Sequence, residues 1–145
     1  MSDERVKVRF TDPEGDTETL WGEPQGADRV RLLHPPFLVH GVSRKDVVQV
    51  EPESGGWRFE RVVEKSGHRS LRLLLPPQRD PGPWVQQILR RGGRCEGAFG
   101  RIVAVDVPPE ADFWSLCRWI ATSGVEWELV DPTHEALYGE PASPM

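Results

Sequence analysis

The sequence predicts an α+β fold in two halves, a curled antiparallel β half followed by a mixed half with two helices. Three observations predict it. Over the first 60 or so residues, short alternating apolar–polar runs are cut by clusters of Gly, Pro and Asp. Beyond Ser66, two stretches switch to the 3.6-residue period of amphipathic helices between strand-like runs. In that second half the most apolar strands are the ones the connectivity would place in the centre of a sheet.

The first half reads as five short strands. "VKVRF" sets Val6, Val8 and Phe10 against Lys7 and Arg9, a half-buried strand, and "DPEGD" turns the chain. "TETLWGEP" and "DRVRLLHPP" follow, each bounded by Gly or Pro. "GVSRKDVVQV" enters a fourth strand after a polar turn that contains Asp46, and "ESGG" separates it from "WRFERVVE" as a hairpin signal. Five short strands with tight turns predict a small barrel or a strongly curled sheet.

The second half begins with "SLRLLL", which puts Leu71, Leu73 and Leu75 on one face. "PGPWVQQILRRGG" is a helix: Pro83 suits a first turn, Trp84 and Ile88 are four apart, Val85, Ile88 and Leu89 share a face, and Gly92 and Gly93 stop it. "RCEGAFG" is a weak strand and "RIVAVDV" a strong one. "ADFWSLCRWIATSG" is the second helix, capped by Asp112, with Phe113, Leu116, Cys117 and Ile120 as its buried stripe. "VEWELV" closes with Val125, Trp127 and Leu129 facing in and Glu126 and Glu128 facing out. The order is β-α-β-β-α-β, the ferredoxin-like plan, in which strands one and three are central. "SLRLLL" and "RIVAVDV" are indeed the greasier pair, and Glu96 and Gly97 suit an edge. The expected organisation is a β-rich half over 1–66, a ferredoxin-like half over 67–131 packed on it as one unit, and a fraying tail over 132–145.

Composition is that of a globular protein, 37% hydrophobic and 28% charged. The absence of an apolar run of about 18 residues argues against a membrane span. The opening "MSDERVKV" lacks the order of a secretory signal, and Cys95 and Cys117 fall inside apolar patterns as reduced core residues. Together these predict a cytoplasmic protein. The net charge of −5 is uneven. Residues 57–101 carry ten basic and four acidic side chains, and the remainder eight and nineteen. Such a basic middle points to Arg stems along a sheet face or to a patch for an acidic partner.

"VVEKSGHRSLRLLL" is the stretch that looks most like a site. Ser66 and His68 suggest a nucleophile and base, but no G-x-S-x-G elbow surrounds them and adjacent turn residues seldom aim side chains at each other. The structural reading is a tight turn in which Gly67 takes positive φ. A binding reading remains: Ser66, Gly67, His68, Arg69 and Arg72 form a ligand or partner patch able to hold an anion. Trp21 and Trp57, beside Gly residues in the β half, are candidate interface aromatics. His34, His40 and His68 make an arithmetically possible three-His set, yet lack the spacing of a catalytic metal site, so neither metal nor cofactor is expected. RNA binding by a ferredoxin-like sheet is a third reading. It is opposed by the acidic total charge and by aliphatics where "RIVAVDV" would need stacking aromatics.

"LWGEP", "PPFLVHGVSRKDVVQV", "WRFERVVEKSGHRSLRL", "RIVAVDVPPEADF" and "GVEWELVDP", in that order, resemble one bacterial family, domain of unknown function family 4265. The likeness runs from about Val6 to Asp131. Its most specific pieces are Pro36–Phe37 with Gly41–Val42 and Asp46–Val47–Val48, and Val62–Val63–Glu64 with Ser66–Gly67–His68 and Arg72. The resemblance implies a small bacterial cytoplasmic protein and supplies neither an activity nor catalytic residues. The residues themselves favour a non-catalytic binding or regulatory module for a protein partner or a small anionic ligand. The alternatives are a hydrolase or transferase using His68, and an RNA-binding module.

Overall fold

Alternation of apolar and polar residues organises the first half. A computed structural model describes residues 4–77, 80–99 and 101–139, without the side chains of 97–99. Strands β1 (Val6–Thr11), β2 (Thr17–Pro24), β3 (Arg29–Leu32), β4 (Val47–Glu53) and β5 (Gly56–Glu64) pair in sequence order. Consecutive pairs are antiparallel, and β5 returns to lie parallel to β1 through Val8↔Trp57 and Arg9↔Arg58. The result is a closed barrel, which leaves these strands no free edge. Val8, Phe10, Leu20, Val30, Leu32, Val48 and Val50 fill it, and Phe10 stacks on Phe59 with centroids 4.6 Å apart. The "DPEGD" turn is held by Asp12, whose Oδ1 accepts from the backbone N–H of Glu14 and Asp16. Gly22 is required where β2 meets β3: a Cβ there would lie 2.2 Å from Val30 Cγ1 and 2.9 Å from the Arg31 carbonyl.

The second half contains β6 (Arg69–Leu74), α1 (Gly82–Arg90), β7 (Arg94–Phe99), β8 (Ile102–Val107), α2 (Phe113–Thr122), β9 (Glu126–Asp131) and α3 (His134–Tyr138). Its four strands form an antiparallel sheet in the order β7-β8-β6-β9, so the two most apolar strands, β6 and β8, are central. Asp112 caps α2 by accepting from Ser115 N at 3.0 Å, and Phe113, Leu116, Cys117 and Ile120 are buried as the periodicity requires. Pro83 sits in the first turn of α1. Leu89, expected on the buried face of that helix, is 56% exposed; Ile88 alone is fully covered, and Trp84 leans on Trp119. Burial of Leu71, Leu73, Val103 and Val105 against the helices is worth about 1.5–3 kcal/mol for each side chain. The chain is thus mixed α+β: two sheets, one closed, and three short helices among the described residues.

The other face of this sheet is unusual. Ser70, Arg72, Ala104 and Asp106 alternate with the leucines and valines just named and should meet solvent, yet each is no more than 6% exposed. The barrel's loop after β3 meets Ser70 through Ser43 and Arg72 through the Phe37 and Val39 carbonyls, and His68 meets Asp106. Glu128, expected to face out, lies on this side with its Oε1 3.0 Å from Arg72 Nε.

The link from β5 to β6 crosses from the barrel to the sheet. Part of the expected fraying tail folds: Thr133 Oγ1 caps α3 at Ala136 N, and Gly139, with φ 73°, ends it. Residues 140–145 lie outside the described residues. Among the described residues, no helix is long and apolar enough to cross a membrane.

Candidate functional site

The stretch from Lys65 to Arg72 lies where barrel and sheet meet, and its polar groups are consumed by that meeting. Asp46, fully buried, is the hub. Its carboxylate accepts from Ser43 N at 2.9 Å, from Ser66 N at 2.8 Å and from Lys65 Nζ at 2.6 Å. The turn that delivers it is strained, with Lys45 at φ 70°. Lys65 Nζ also donates to Asp131 at the end of β9. Asp131 in turn accepts from Ser43 Oγ at 2.6 Å, and Ser70 Oγ donates to Ser43 Oγ at 2.9 Å. Asp46 and Ser43 come from the barrel, Ser70 and Asp131 from the sheet. The chain of bonds therefore sews one to the other.

Each residue of the expected patch has a place in this seam or beside it. Ser66 Oγ donates to the Arg44 carbonyl at 2.7 Å and accepts from His68 N at 3.1 Å. His68, its side chain 10% exposed, has Nδ1 2.8 Å from Asp106 Oδ1 on β8. Asp106 Oδ2 is buried without a hydrogen-bond partner. Arg72 corrects the expectation of a surface patch: its guanidinium donates to the carbonyls of Phe37 and Val39 in the barrel loop. Its remaining Nε pairs with Glu128 at 3.0 Å, without hydrogen-bond geometry. Desolvation by burial holds the Arg72 guanidinium below its ordinary pKa. Only Arg69 carries charge to the surface, and its guanidinium rests 5.0 Å from the Phe113 ring and 6.0 Å from that of Trp114.

Gly67 has φ 92°, and a Cβ there would meet nothing nearer than Pro109 at 3.5 Å. Space is available, so the constraint is backbone conformation. Gly67→Val should cost about 1–2 kcal/mol and lower the melting temperature by several degrees. Ser66→Ala, which removes two bonds in the seam, should cost about 1 kcal/mol. Thermal melts measure both; parent-like melting of Gly67→Val would contradict the conformational argument.

The other candidates disperse. His34 pairs with Glu96, His40 with Glu128 and His68 with Asp106, so the three histidines meet three different carboxylates. Among the described residues no three His, Cys, Asp or Glu side chains gather as a metal set. Burial pushes the thiols of Cys95 and Cys117 up to about 11, so both stay protonated near neutral pH. Trp57 is half-buried against the barrel core and is not an exposed anchor. Trp21 is 43% exposed, with Lys7 Nζ 5.2 Å from its ring centroid.

A recess of about 240 Å³ lies beside the patch, lined by Gly67, Arg69, Pro109, Asp112 and Trp114. Larger concave surface runs along β9. One cavity of about 510 Å³ is lined by His40, Trp127, Glu128, Leu129 and the start of α3. A second, of about 340 Å³, is lined by Phe37, Leu38, Arg72, Leu74, Ile102 and Glu126, and shares Trp127 and Glu128 with the first. His40, Glu128 and Arg72 form one chain of charge between them. Its hydrogen bond with His40 and the nearby Arg72 charge hold the Glu128 carboxyl below the ordinary carboxylate range, against the opposing effect of burial. Sequence reasoning passed over this groove because Glu126 and Glu128 looked like ordinary solvent-facing residues of an alternating strand. It passed over the seam because Asp46 reads as a turn residue. The available signal was Ser70, Arg72 and Asp106 recurring at period two inside the two most apolar strands.

A family model described as Domain of unknown function (DUF4265) matches residues 18–128. No protein in the curated set matches the chain. Among solved structures, a hypothetical protein from Neisseria gonorrhoeae is similar in fold. It has a TM-score of 0.67 and 18% identity, over 90% of this chain and 95% of that one.

Proposed function

Since the chain belongs to the DUF4265 family, a membership that assigns no activity, we propose from the site itself that it is a non-catalytic binding module for a protein partner in the cytoplasm. One observation carries this reading. Ser66 and His68, the residues that resemble an active site, are engaged in internal bonds, while the larger concavities run along β9. A catalytic histidine must present a ring nitrogen to substrate. His68 is nearly covered, and it lines neither groove cavity nor the recess beside Arg69. A protein partner is favoured over a small anion because Arg72 already serves two carbonyls and Glu128, and the exposed Arg69 rests against the rings of Phe113 and Trp114. The strand order β7-β8-β6-β9 with two helices on one face supports a ferredoxin-like arrangement as the scaffold for that groove.

The test is cross-linked capture from the native host, comparing wild type, Ser66→Ala and a groove variant with Glu126→Arg and Glu135→Arg. Wild type and Ser66→Ala should retain the same partner, and the groove variant should lose it. A substrate turned over by wild type and lost in a folded His68→Gln variant would overturn the reading in favour of an enzyme.

A further inference from the structure

The free edge of β9 has a geometry that selects its occupant. Strand β9 ends the sheet, and among the described residues it pairs only with β6. Successive residues of a strand point to opposite faces. A cavity lined by Trp127, Glu128 and Leu129 together therefore lies along the strand's edge and not over one face. Edge strands are commonly shielded by bulges, covering loops or lysines. In β9 such shielding reaches only the far end, where the ladder is irregular beside Ser70/Leu71 and Gly41 N donates to the Val130 carbonyl. Among the described residues, 126–129 pair with no strand other than β6.

We propose that 126–129 is a strand-addition site for an extended segment of another protein in which basic residues alternate with an apolar one. This rests on the binding-module reading and names the surface and the ligand chemistry. The pattern follows from cross-strand pairing. Glu126 and Glu128 sit two apart on the face toward the barrel loop, so the residues opposite them on an added strand also share a face and are best met by Lys or Arg. On the helix side, Trp127 and Leu129 offer half-buried apolar surface to the residue between. Glu135 on α3 adds a third carboxylate at the rim of the larger cavity. A second copy of this chain is the wrong occupant. Two β9 edges related by a two-fold axis would bring Glu126 and Glu128 against their own counterparts, and like charges in cross-strand positions repel.

The probe is a fluorescent peptide containing Lys-Val-Lys-Val, titrated by anisotropy against the full chain. Controls are Glu-Val-Glu-Val, a Lys-Lys-Val-Val rearrangement, and Lys-Val-Lys-Val N-methylated at alternate amides in each of the two registers. Saturable binding of the alternating basic peptide is expected. The acidic and rearranged peptides and one N-methylated register should bind at least tenfold more weakly. Glu126→Lys, an exposed change that leaves the seam intact, should reverse the preference toward Glu-Val-Glu-Val. No binding, equal binding of the rearranged or both methylated peptides, or a dimer in sedimentation that buries β9 would overturn the proposal. Host capture separates the two levels: a partner cross-linked away from β9 overturns strand addition and leaves the binding module standing, whereas turnover dependent on His68 removes the module reading itself.

Discussion

Asp46→Ala is expected to lower stability by about 3–5 kcal/mol, the largest effect of any single change in the seam. The carboxylate is fully buried and holds three donors: Ser43 N, Ser66 N and Lys65 Nζ. Truncation leaves two backbone N–H groups without their acceptor. It also removes one of the two carboxylates that fix Lys65, whose half-exposed ammonium keeps Asp131. The strain at Lys45, φ 70°, then persists without the bonds that hold the turn in place. In a chain of this size the melting temperature should drop by about ten degrees or more. Asp46→Asn retains one acceptor oxygen and should fall between the two. Denaturant titration with an unchanged slope would confirm that the native state, and not the unfolded ensemble, carries the loss. A near-parental midpoint for Asp46→Ala would mean that the hub is dispensable.

Arg72→Met should cost about 2–4 kcal/mol. The methionine keeps apolar volume along the stem but abandons the carbonyls of Phe37 and Val39, which Arg72 reaches with two different nitrogens. Glu128 loses one of its two partners, but it is half-exposed and keeps His40. Arg72→Lys should recover less than half of the loss, because one ammonium cannot span two carbonyls as a planar guanidinium does. A thermal melt separates this role from a ligand-binding one. If Arg72 were held for an anion, Arg72→Met would melt like the parent in the absence of ligand, or above it.

These residues also explain how far sequence reading reached. The strands, the helix caps and the buried stripe of α2 follow from local chemistry: alternation in "VKVRF", Asp112 before Phe113, the i, i+3, i+4, i+7 spacing. Local chemistry also placed β6 and β8 at the centre of their sheet. It failed on Arg72, His68 and Glu128 because their partners are 33 to 38 residues away or further and belong to the barrel loop, β8 and β6. An arginine between two leucines looks like a solvated stem unless one knows that a loop ending in Val39 lies across it. The place of Trp57 is also set at a distance, since barrel closure through Val8↔Trp57 is a non-local event. Glu126 and Glu128 are ordinary in sequence; their place on the last strand of the sheet sets them apart.

The central claim is that the Ser–His–Arg stretch belongs to a seam joining barrel and sheet. The bond that tests it most directly is Ser43 Oγ to Asp131 Oδ2, 2.6 Å across that seam. A double-mutant cycle of Ser43→Ala and Asp131→Asn, read by denaturant unfolding, isolates their coupling from what each residue does alone. A hydrogen bond to a charged acceptor in a mostly buried setting should show a coupling of about 1 kcal/mol or more. Additive single effects, with coupling inside a few tenths of a kcal/mol, would show that the barrel and the sheet do not depend on this seam.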